Sequence, residues 1–310
     1  MMFLAIDLGG TEVKTGLVDE KGTVLEKSSS SVSFDGYKTP IVTSAVNAAK
    51  AFLAEHPCEV QGVAVSACGQ IDPASGTVLG TNGKILHYEG VCIRAEMEKA
   101  FGKETAVLND ANAAVLGECF AGGAKGLRDV LMITLGTGVG GGVIVNGNLL
   151  SGHRGIAGEL GHFTLRADGP ACPCGKRGCF EHYASTSALV SRCESASGRN
   201  GLNGKIIFRE VGEGNPVFRA ELNAWIQDIA EGLTGLIHIF NPELVLIGGG
   251  VSAQEEWLIR PLRNLVLKQA LPRFADGLRI ERAVLGNDAG MIGAVRFWLD
   301  CRRKEAGHDY

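Results

Sequence analysis

Three cysteines close together in the sequence have the types and spacing of metal ligands. Cys172, Cys174 and Cys179 form the pattern C-x-C-x4-C with glycines between them, and His162 precedes them. Three thiolates and one imidazole satisfy tetrahedral Zn²⁺ and leave no open position, so the sequence predicts a structural zinc site. Three unligated thiols in a glycine-rich loop are the less favoured alternative. Two other histidines are weaker candidate ligands: His153 and His182.

A glycine-rich segment, "ITLGTGVGGGVIVNG" at 133–147, has the spacing of a phosphate-binding turn. Its Gly136, Gly138 and Gly141 form the GxGxxG of dinucleotide-binding enzymes, which requires a helix after the glycines. Here β-branched residues and an Asn-Gly pair follow, and these favour a strand and a hairpin. The segment is therefore predicted to be a turn between strands rather than part of an NAD site. The sequence contains no GxxxxGK[ST], which argues against a P-loop enzyme.

Two aspartates stand where predicted strands end. Asp7 precedes a glycine turn, and a carboxylate there could hold Mg²⁺ through water near phosphates. Asp110 lies between a strand and a helix, where residue type alone favours a helix cap over a catalytic base. Glu159 and Glu181 flank the cysteine segment and could accept hydrogen bonds from substrate hydroxyls, with a surface glutamate as the simple alternative for each.

The elements that must position these residues alternate between strands and helices. Residues 40–55, for example, carry apolar side chains at helical spacing. The segments that begin at Ile6 and Ile133 share Ile-x-Leu-Gly and the same order of strand, glycine turn and strand. This repetition predicts two related α/β domains, 1–118 and 119–289, although two hairpins could also be similar by chance. Two further regions are expected: a metal-binding module at about 159–185, and a last helix at about 290–310 that could pack back on the first domain.

The bulk composition is that of an ordinary globular protein. The chain has 310 residues, of which 45% are hydrophobic and 21% charged, and its net charge is −4. This charge gives no sign of a nucleic-acid or membrane surface, and no apolar run has membrane-spanning length. Nine cysteines without a secretion signal predict a reduced, cytoplasmic protein.

The order of motifs resembles the ROK sugar kinases, of the actin/hexokinase-like ATPase superfamily, over nearly the whole chain. "AIDLGGTEVKTGLVD" and "TLGTGVGGG" are similar to the family's phosphate motifs, and "LVLIGGGVS" to its adenosine motif. "LNDANAAVLGE", "GIAGELGH" and "CPCGKRGCFEHYAS" resemble its catalytic, sugar-binding and zinc signatures. The resemblance implies two actin-like (ribonuclease H-like) α/β domains with a cleft between them and a small zinc-binding loop module.

The resemblance also implies ATP- and Mg²⁺-dependent phosphorylation of a hexose, with the 6-hydroxyl as the acceptor. Asp110 would orient this hydroxyl and accept its proton. His162 would bind zinc through one ring nitrogen and face a sugar hydroxyl with the other. The other implied sugar contacts are Asn109, Glu159, Glu181 and Gly69. The implied contacts of ATP and Mg²⁺ are Asp7, Gly9, Gly10, Thr11, Lys14, Thr137, Gly138, Gly249 and Gly250.

One segment departs from the family's glucose-binding pattern. "CGQIDPASGTVLGTNGKILHYEG" has no tryptophan, and Tyr88 takes its place. The family's asparagine corresponds to Asn82 or is replaced by Lys84. Glucose leads as the expected substrate, and N-acetylmannosamine, N-acetylglucosamine, allose, fructose and β-glucosides stay open.

A function of another class is also possible, because the family includes sugar-responsive transcription regulators. Those proteins add an N-terminal helix-turn-helix, and here the first strand is predicted to begin at about residue 3. The kinase is therefore the favoured function. A homodimer or a larger homo-oligomer is expected.

Overall fold

The computed structural model describes residues 1–32, 35–81 and 85–305 of the chain. Asn82 and Lys84, between which the sequence did not decide, lie outside these residues, as does the end of the last predicted helix. The chain divides into two compact units. The first unit comprises Met1–Gly126, Leu149–Ala157 and the region from Asn287 onward, and the second comprises Leu127–Asn148 and Gly158–Gly286.

Strands and helices alternate along both units. The strands are β1 (Met2–Leu8), β2 (Glu12–Asp19), β3 (Val24–Ser31), β4 (Gly62–Ala67), β5 (Gln70–Asp72), β6 (Thr77–Gly80), β7 (Thr105–Asn109), β8 (Val130–Leu135), β9 (Val139–Val145), β10 (Asn148–Leu149), β11 (Leu244–Gly248) and β12 (Arg279–Arg282). The helices are α1 (Ile41–Glu55), α2 (Ile93–Phe101), α3 (Asp110–Ala121), α4 (Glu181–Ala184), α5 (Thr186–Ser197), α6 (Gly204–Gly212), α7 (Pro216–Phe240), α8 (Arg260–Gln269), α9 (Pro272–Ala275) and α10 (Ala289–Glu305).

The first unit is built on a five-stranded sheet in the order β3-β2-β1-β4-β7. The first three strands form an antiparallel meander, and β4 and β7 run parallel to β1. Because parallel strands end at the same edge of a sheet, Asp7 lies beside Ser66 in the register, and Asn109 lies beside Ala67. This carboxyl edge therefore gathers the polar residues that the sequence singled out in this unit.

Glycines let the backbones of α10 and α3 come into direct contact. A methyl group at Gly293 would overlap the carbonyl oxygen of Ala113, and one at Gly117 would overlap that of Ala289. At the start of α10, a methyl group at Gly290 would lie 2.8 Å from Oδ1 of Asp7. The last helix therefore fixes α3 and the Asp7 end of β1 within the same unit.

The second unit repeats the strand order of the first, as the internal similarity predicts. Its sheet runs β10-β9-β8-β11-β12, with β9 antiparallel to β8 and with β11 and β12 parallel to it. Gly136 and Gly138 of the GxGxxG lie in the tight turn between β8 and β9, where Leu135 pairs with Val139, and Gly141 lies within β9. A strand therefore follows this turn, and the helix that an NAD site requires does not form there.

Two expectations about organisation need refinement. A boundary at 118/119 would cut α3 before its last turn, whereas the contacts keep Asp110–Ala121 whole within the first unit. Leu149–Ala157 also belongs to the first unit, although it follows the β8–β9 hairpin of the second.

Across the part of the chain that the structure describes, the helices are too short or too polar to cross a membrane.

The contact of α10 with α3 gives a stability prediction. Gly293→Ala should lower the free energy of unfolding by about 1–3 kcal/mol or more, because the added methyl group meets backbone atoms that cannot rotate away. Gly235→Ala is the matched control on α7, where a methyl group would meet nothing within 4 Å. That change should raise the free energy of unfolding by about 0.5–1 kcal/mol through helix propensity. Urea unfolding measures both, and equal stability of the two variants would contradict this packing.

Candidate active site

Asp110 is the first residue of α3 and is exposed. Its Oδ1 accepts hydrogen bonds from the side-chain amide of Asn109, at 2.9 Å, and from the backbone amide of Ala111, at 2.8 Å. The helix cap that residue type favoured for Asp110 belongs instead to Asn109, whose Oδ1 accepts from Ala111 and Asn112. The Asp110 carboxylate is therefore held in one orientation without being the cap.

Asn109 has a positioning role within the protein. Its Nδ2 donates to the carbonyl of Gly69, at 2.9 Å, as well as to Asp110. Gly69 has a φ of 92°, and a methyl group there would lie 2.8 Å from the carbonyl oxygen of Gly80. Only glycine fits this turn without strain. A direct contact of Asn109 or Gly69 with a sugar stays a prediction.

Tyr88 is fully buried, which the sequence did not reveal. Its hydroxyl donates to the carbonyl of Cys68 at 3.1 Å, next to Gly69. Burial, followed by the nearby Asp110 carboxylate, raises the pKa of the Cys68 thiol to about 12. The tyrosine therefore supports the Cys68–Gly69 turn, to which Asn109 also donates, and does not present its ring to solvent.

Asp7 is engaged by two side chains of its own unit. Lys14 donates to Oδ2 at 3.0 Å, and the Ser66 hydroxyl donates to Oδ1 at 2.8 Å. Lys14 was expected to contact phosphate, and the structure gives its ammonium the Asp7 carboxylate as partner. A carboxylate whose two oxygens already accept hydrogen bonds suits an ion held through water better than a direct ligand.

The turn after β1 is held from both sides. Gly9 donates its backbone N–H to the carbonyl of Glu12 at 2.9 Å, and the amide of Val32 donates to the carbonyl of Thr11 at 3.0 Å. The hydroxyl of Tyr37 donates to the carbonyl of Gly10 at 2.5 Å. Nothing in the local sequence around Tyr37 indicated this contact, since it joins positions far apart in the chain.

Glu181 lies against the glycine turn of the second unit. Its Oε2 accepts the backbone N–H of Val139 at 3.1 Å, and a methyl group at Gly138 would overlap that oxygen. Gly138 was expected to contact phosphate, and the structure adds a second reason for glycine at this position. Gly141 likewise leaves room for the side chain of Leu160, in the turn that carries His162.

The predicted metal ligands come together. The ligand atoms of His162, Cys172, Cys174 and Cys179 all lie within 4.8 Å of one another. The sulfurs of Cys174 and Cys179 are 3.5 Å apart, and Nδ1 of His162 is 3.7 Å from the sulfur of Cys172. Tetrahedral Zn²⁺ with sulfur ligands requires such atoms to be about 3.8 Å apart, so the four residues fit the ion.

The local environment shifts the pKa values of two cluster thiols in opposite directions. Burial raises the pKa of the Cys179 thiol to about 12, whereas a backbone hydrogen bond from Lys176 lowers that of Cys174. A zinc ion would compensate the thiolate charge that burial disfavours. Within the described residues, His162 is the imidazole of this cluster, and His153 and His182 are not part of it.

Glu159 is exposed at the start of the short 3-10 turn Leu160–His162. Its carbonyl accepts the backbone N–H of His162 at 3.0 Å. A methyl group at Gly161 would overlap the carbonyl oxygen of Val139, so this turn packs directly on β9. The backbone therefore places Glu159 and the cluster histidine on one rigid turn.

A cavity of about 680 Å³ lies within the second unit. Thr137 and Gly250 line it, while Gly249 has a φ of 91° and lies against the backbone of Leu135, and their contact with a nucleotide stays a prediction. Much of its wall comes from α5, α6 and the segment between them, which the sequence analysis did not single out. These wall residues include Thr186, Ser187, Val190, Ser191, Glu194, Leu202, Asn203, Lys205 and Phe208.

Two α/β units with one strand order, each with a glycine turn after its first strand, define the actin-like class of fold. The sequence matches the model of the ROK family over residues 3–301. A glucokinase of Thermotoga maritima is 33% identical over 95% of this chain and 96% of its own length. A beta-glucoside kinase of Listeria innocua is 34% identical over 96% of this chain and 98% of its own length.

A solved structure agrees with these sequence relationships. The ROK family glucokinase from Streptomyces griseus, in complex with glucose and AMPPNP, has a TM-score of 0.82 at 30% identity. The likeness covers 96% of this chain and 99% of that one. The chain belongs to the ROK family.

The cysteine cluster predicts a measurable metal content. The purified protein should carry one Zn²⁺ per chain, and Cys174→Ser should lower its melting temperature. A structural zinc can contribute roughly 10 kcal/mol or more to a short loop. Cys58→Ser, at an exposed cysteine outside the cluster, is the control and should change neither metal content nor stability. A fully active preparation without zinc, or native alkylation of all three cluster cysteines, would contradict the site.

Proposed function

We propose that this protein transfers the γ-phosphate of ATP to the 6-hydroxyl of a hexose, with glucose as the first candidate. The chain is a sugar kinase, as the glucokinases among its relatives indicate, and the proposal adds the acceptor hydroxyl and the residue roles. The observation that carries it is the exposed carboxylate of Asp110, which Asn109 and Ala111 hold in one orientation. Such a group can align a hydroxyl and take its proton.

Asp110 acts at the bond-forming step. The sugar oxygen attacks the γ-phosphorus, a new P–O bond forms, and the bond from this phosphorus to the β–γ bridging oxygen breaks, so that ADP leaves. The hydroxyl proton passes to the Asp110 carboxylate. Because phosphoryl transfer depends mostly on positioning and charge stabilisation, an ordinary carboxylate is basic enough.

The remaining hydroxyls of the sugar are assigned to acceptors of the second unit. Glu159 and the cluster histidine lie on one turn, and Glu181 is fixed by the amide of Val139. Carboxylates can read two adjacent hydroxyls at once, which suits a hexose ring. With Nδ1 of His162 on the side of the sulfurs, its Nε2 is the nitrogen assigned to the sugar.

The nucleotide is assigned to the glycine turns and the cavity. Gly10 and Thr11 are assigned to phosphate in the first unit through their backbone N–H groups, whereas the N–H of Gly9 donates to Glu12 and shapes the turn. Thr137 and Gly250 line the cavity of the second unit. A cavity of about 680 Å³ is of the size that small-molecule ligands occupy. Asp7 is the residue that would hold Mg²⁺ through water, and the ion would neutralise charge on the phosphates.

The cellular compartment, the assembly and the partners of the protein are also part of the proposal. Zinc-binding thiolates such as those assigned to Cys172, Cys174 and Cys179 persist in a reducing compartment, which favours the cytoplasm. We also expect a homo-oligomer that acts on a small sugar and does not bind nucleic acid.

A coupled assay of ADP release over a panel of sugars tests the activity. Glucose should give the highest kcat/KM, with β-glucosides, N-acetylmannosamine, N-acetylglucosamine, allose and fructose compared beside it. A glucokinase and a beta-glucoside kinase are of nearly equal identity to this chain, so these two sugars are the critical comparison. ADP release that no sugar stimulates would contradict the proposal.

Asp110→Asn tests the proton acceptor. The change should lower kcat by about 10²–10⁴-fold and leave ATP binding intact, because the amide keeps the shape of the carboxylate but cannot accept the proton. Asp276→Asn, at an exposed aspartate after α9, is the control and should keep full activity. Steady-state kinetics measure both, and an Asp110→Asn enzyme within tenfold of the wild type would remove Asp110 from this role.

Glu159→Gln and Glu181→Gln test the sugar contacts. Each should raise the KM for sugar by about tenfold or more and leave the KM for ATP nearly unchanged, because a neutral amide is a weaker acceptor for hydroxyls. Glu213→Gln, at an exposed position after α6, should change neither constant. A variant at 159 or 181 that altered only the KM for ATP would show the assignment to be wrong.

A further inference from the structure

Asp228 is a buried carboxylate in the middle of α7 that is not among the residues assigned to sugar, nucleotide or zinc. Its side chain is 4% exposed, and each of its oxygens accepts a hydrogen bond from one guanidinium group. Arg166 donates to Oδ1, and Arg192 donates to Oδ2. A buried charge is costly unless it is paired and hydrogen-bonded, so the two arginines make a carboxylate tolerable at this position.

Arg166 belongs to the loop that carries the metal-binding residues. Its backbone N–H donates to the carbonyl of Gly178, next to Cys179, at 3.3 Å, and its carbonyl accepts the N–H of Gly169 at 3.0 Å. Its guanidinium also lies 4.9 Å from the centre of the Tyr183 ring. Arg166 also donates to Oε2 of Glu231 in α7 at 3.1 Å, so its ion pairs with Asp228 and Glu231 tie the backbone of this loop to α7.

The same face of α7 holds the chain on both sides of Glu181. Trp225 donates from Nε1 to the carbonyl of Ser185 at 3.0 Å, and the ring of Phe180 occupies the space where a side chain at Gly232 would lie. Positions i, i+3 and i+7 share one face of a helix. The three positions of this face are Trp225, Asp228 and Gly232.

We propose that Asp228 and Arg166 are positioning residues for the sugar site. Their ion pair fixes the metal-binding loop (residues 163–179) relative to residues 180–185, which α7 also contacts. The distance between His162 and Glu181 is thereby kept constant. The proposal rests on the proposed function, because it assigns His162 and Glu181 to the sugar. Arg192 reaches the same carboxylate from α5 and does not belong to the loop.

Two variants of the zinc-loaded full-length protein separate positioning from general stability. Arg166→Met and Arg192→Met each leave Asp228 with one arginine, so both keep a partner for the buried charge. Arg166→Met should raise the KM for sugar by about tenfold and leave the KM for ATP within about twofold, because binding the sugar would then have to order acceptors that the wild type already holds in place. Arg192→Met should leave the KM for sugar within about twofold of the wild type.

Two readouts do not depend on kinase activity. Hydrogen exchange of peptides from 163–179 should become faster in Arg166→Met and stay unchanged in Arg192→Met, because only the first variant releases the loop. Loss of zinc to a competing chelator should accelerate by about 10–100-fold in Arg166→Met alone. Arg166→Lys should recover part of the protection against hydrogen exchange, because lysine keeps the positive charge but lacks the planar guanidinium group.

The proposal is overturned if loop exchange in Arg166→Met equals that of the wild type, or if the two methionine variants change sugar KM and exchange alike. If the wild-type protein phosphorylates no sugar, the proposed function fails, and exchange and zinc release still decide whether Arg166 holds the loop on α7.

Discussion

The arrangement of the candidate site in the second unit depends on one contact, the hydrogen bond from the backbone amide of Val139 to the Glu181 carboxylate. The 3.1 Å hydrogen bond can form only because residue 138 has no side chain. The same turn carries Thr137, which lines the cavity assigned to the nucleotide. A single glycine therefore fixes a sugar-binding candidate against the turn of the cavity, and a substitution there would move both.

Around this contact, the structure uses rigid supports rather than long flexible side chains. The turn with Glu159 and His162 packs on β9 through Gly161, and α7 holds the residues on either side of Glu181. A zinc ion bound by His162, Cys172, Cys174 and Cys179 would hold the loop between His162 and Cys179 in one conformation. Acceptors on such supports lose little conformational entropy when they bind a sugar.

The first unit applies the same principle to its two aspartates. Gly290 brings the start of α10 against Asp7 and Ser66, and Gly117 and Gly293 bring the same helix against α3. Backbone contacts of this kind are stiffer than contacts between side chains. The orientation of Asp110 at the start of α3 thus follows from how α3 is packed as well as from its own hydrogen bonds.

The sequence predicted those features that depend on spacing within one segment. The C-x-C-x4-C pattern indicated the metal cluster, and the residues after Gly141 indicated a strand in place of an NAD site. Both conclusions concern neighbours in the chain. The repeated strand order was also visible, because each unit carries the same local motif.

Features that depend on distant partners were not predictable from residue type. Lys14 pairs with Asp7, and Asp228 pairs with two arginines, although lysine and aspartate are mostly exposed. Tyr88 is fully buried and donates to Cys68, although tyrosine is intermediate in burial. Much of the wall of the cavity comes from α5 and α6, whose sequences carry no motif for a ligand. Only the packing of the unit brings these groups together.

The most direct test of the central claim is a crystal structure of the protein with bound glucose. Glu181 should keep Oε2 on the amide of Val139 while its Oε1 lies about 2.6–3.2 Å from a sugar hydroxyl, the reach of a hydrogen bond. The turn at Gly138, the face of α7 and the metal-binding loop would then all hold Glu181 in place for the sugar. A well-ordered glucose with no contact to Glu181 would contradict the account.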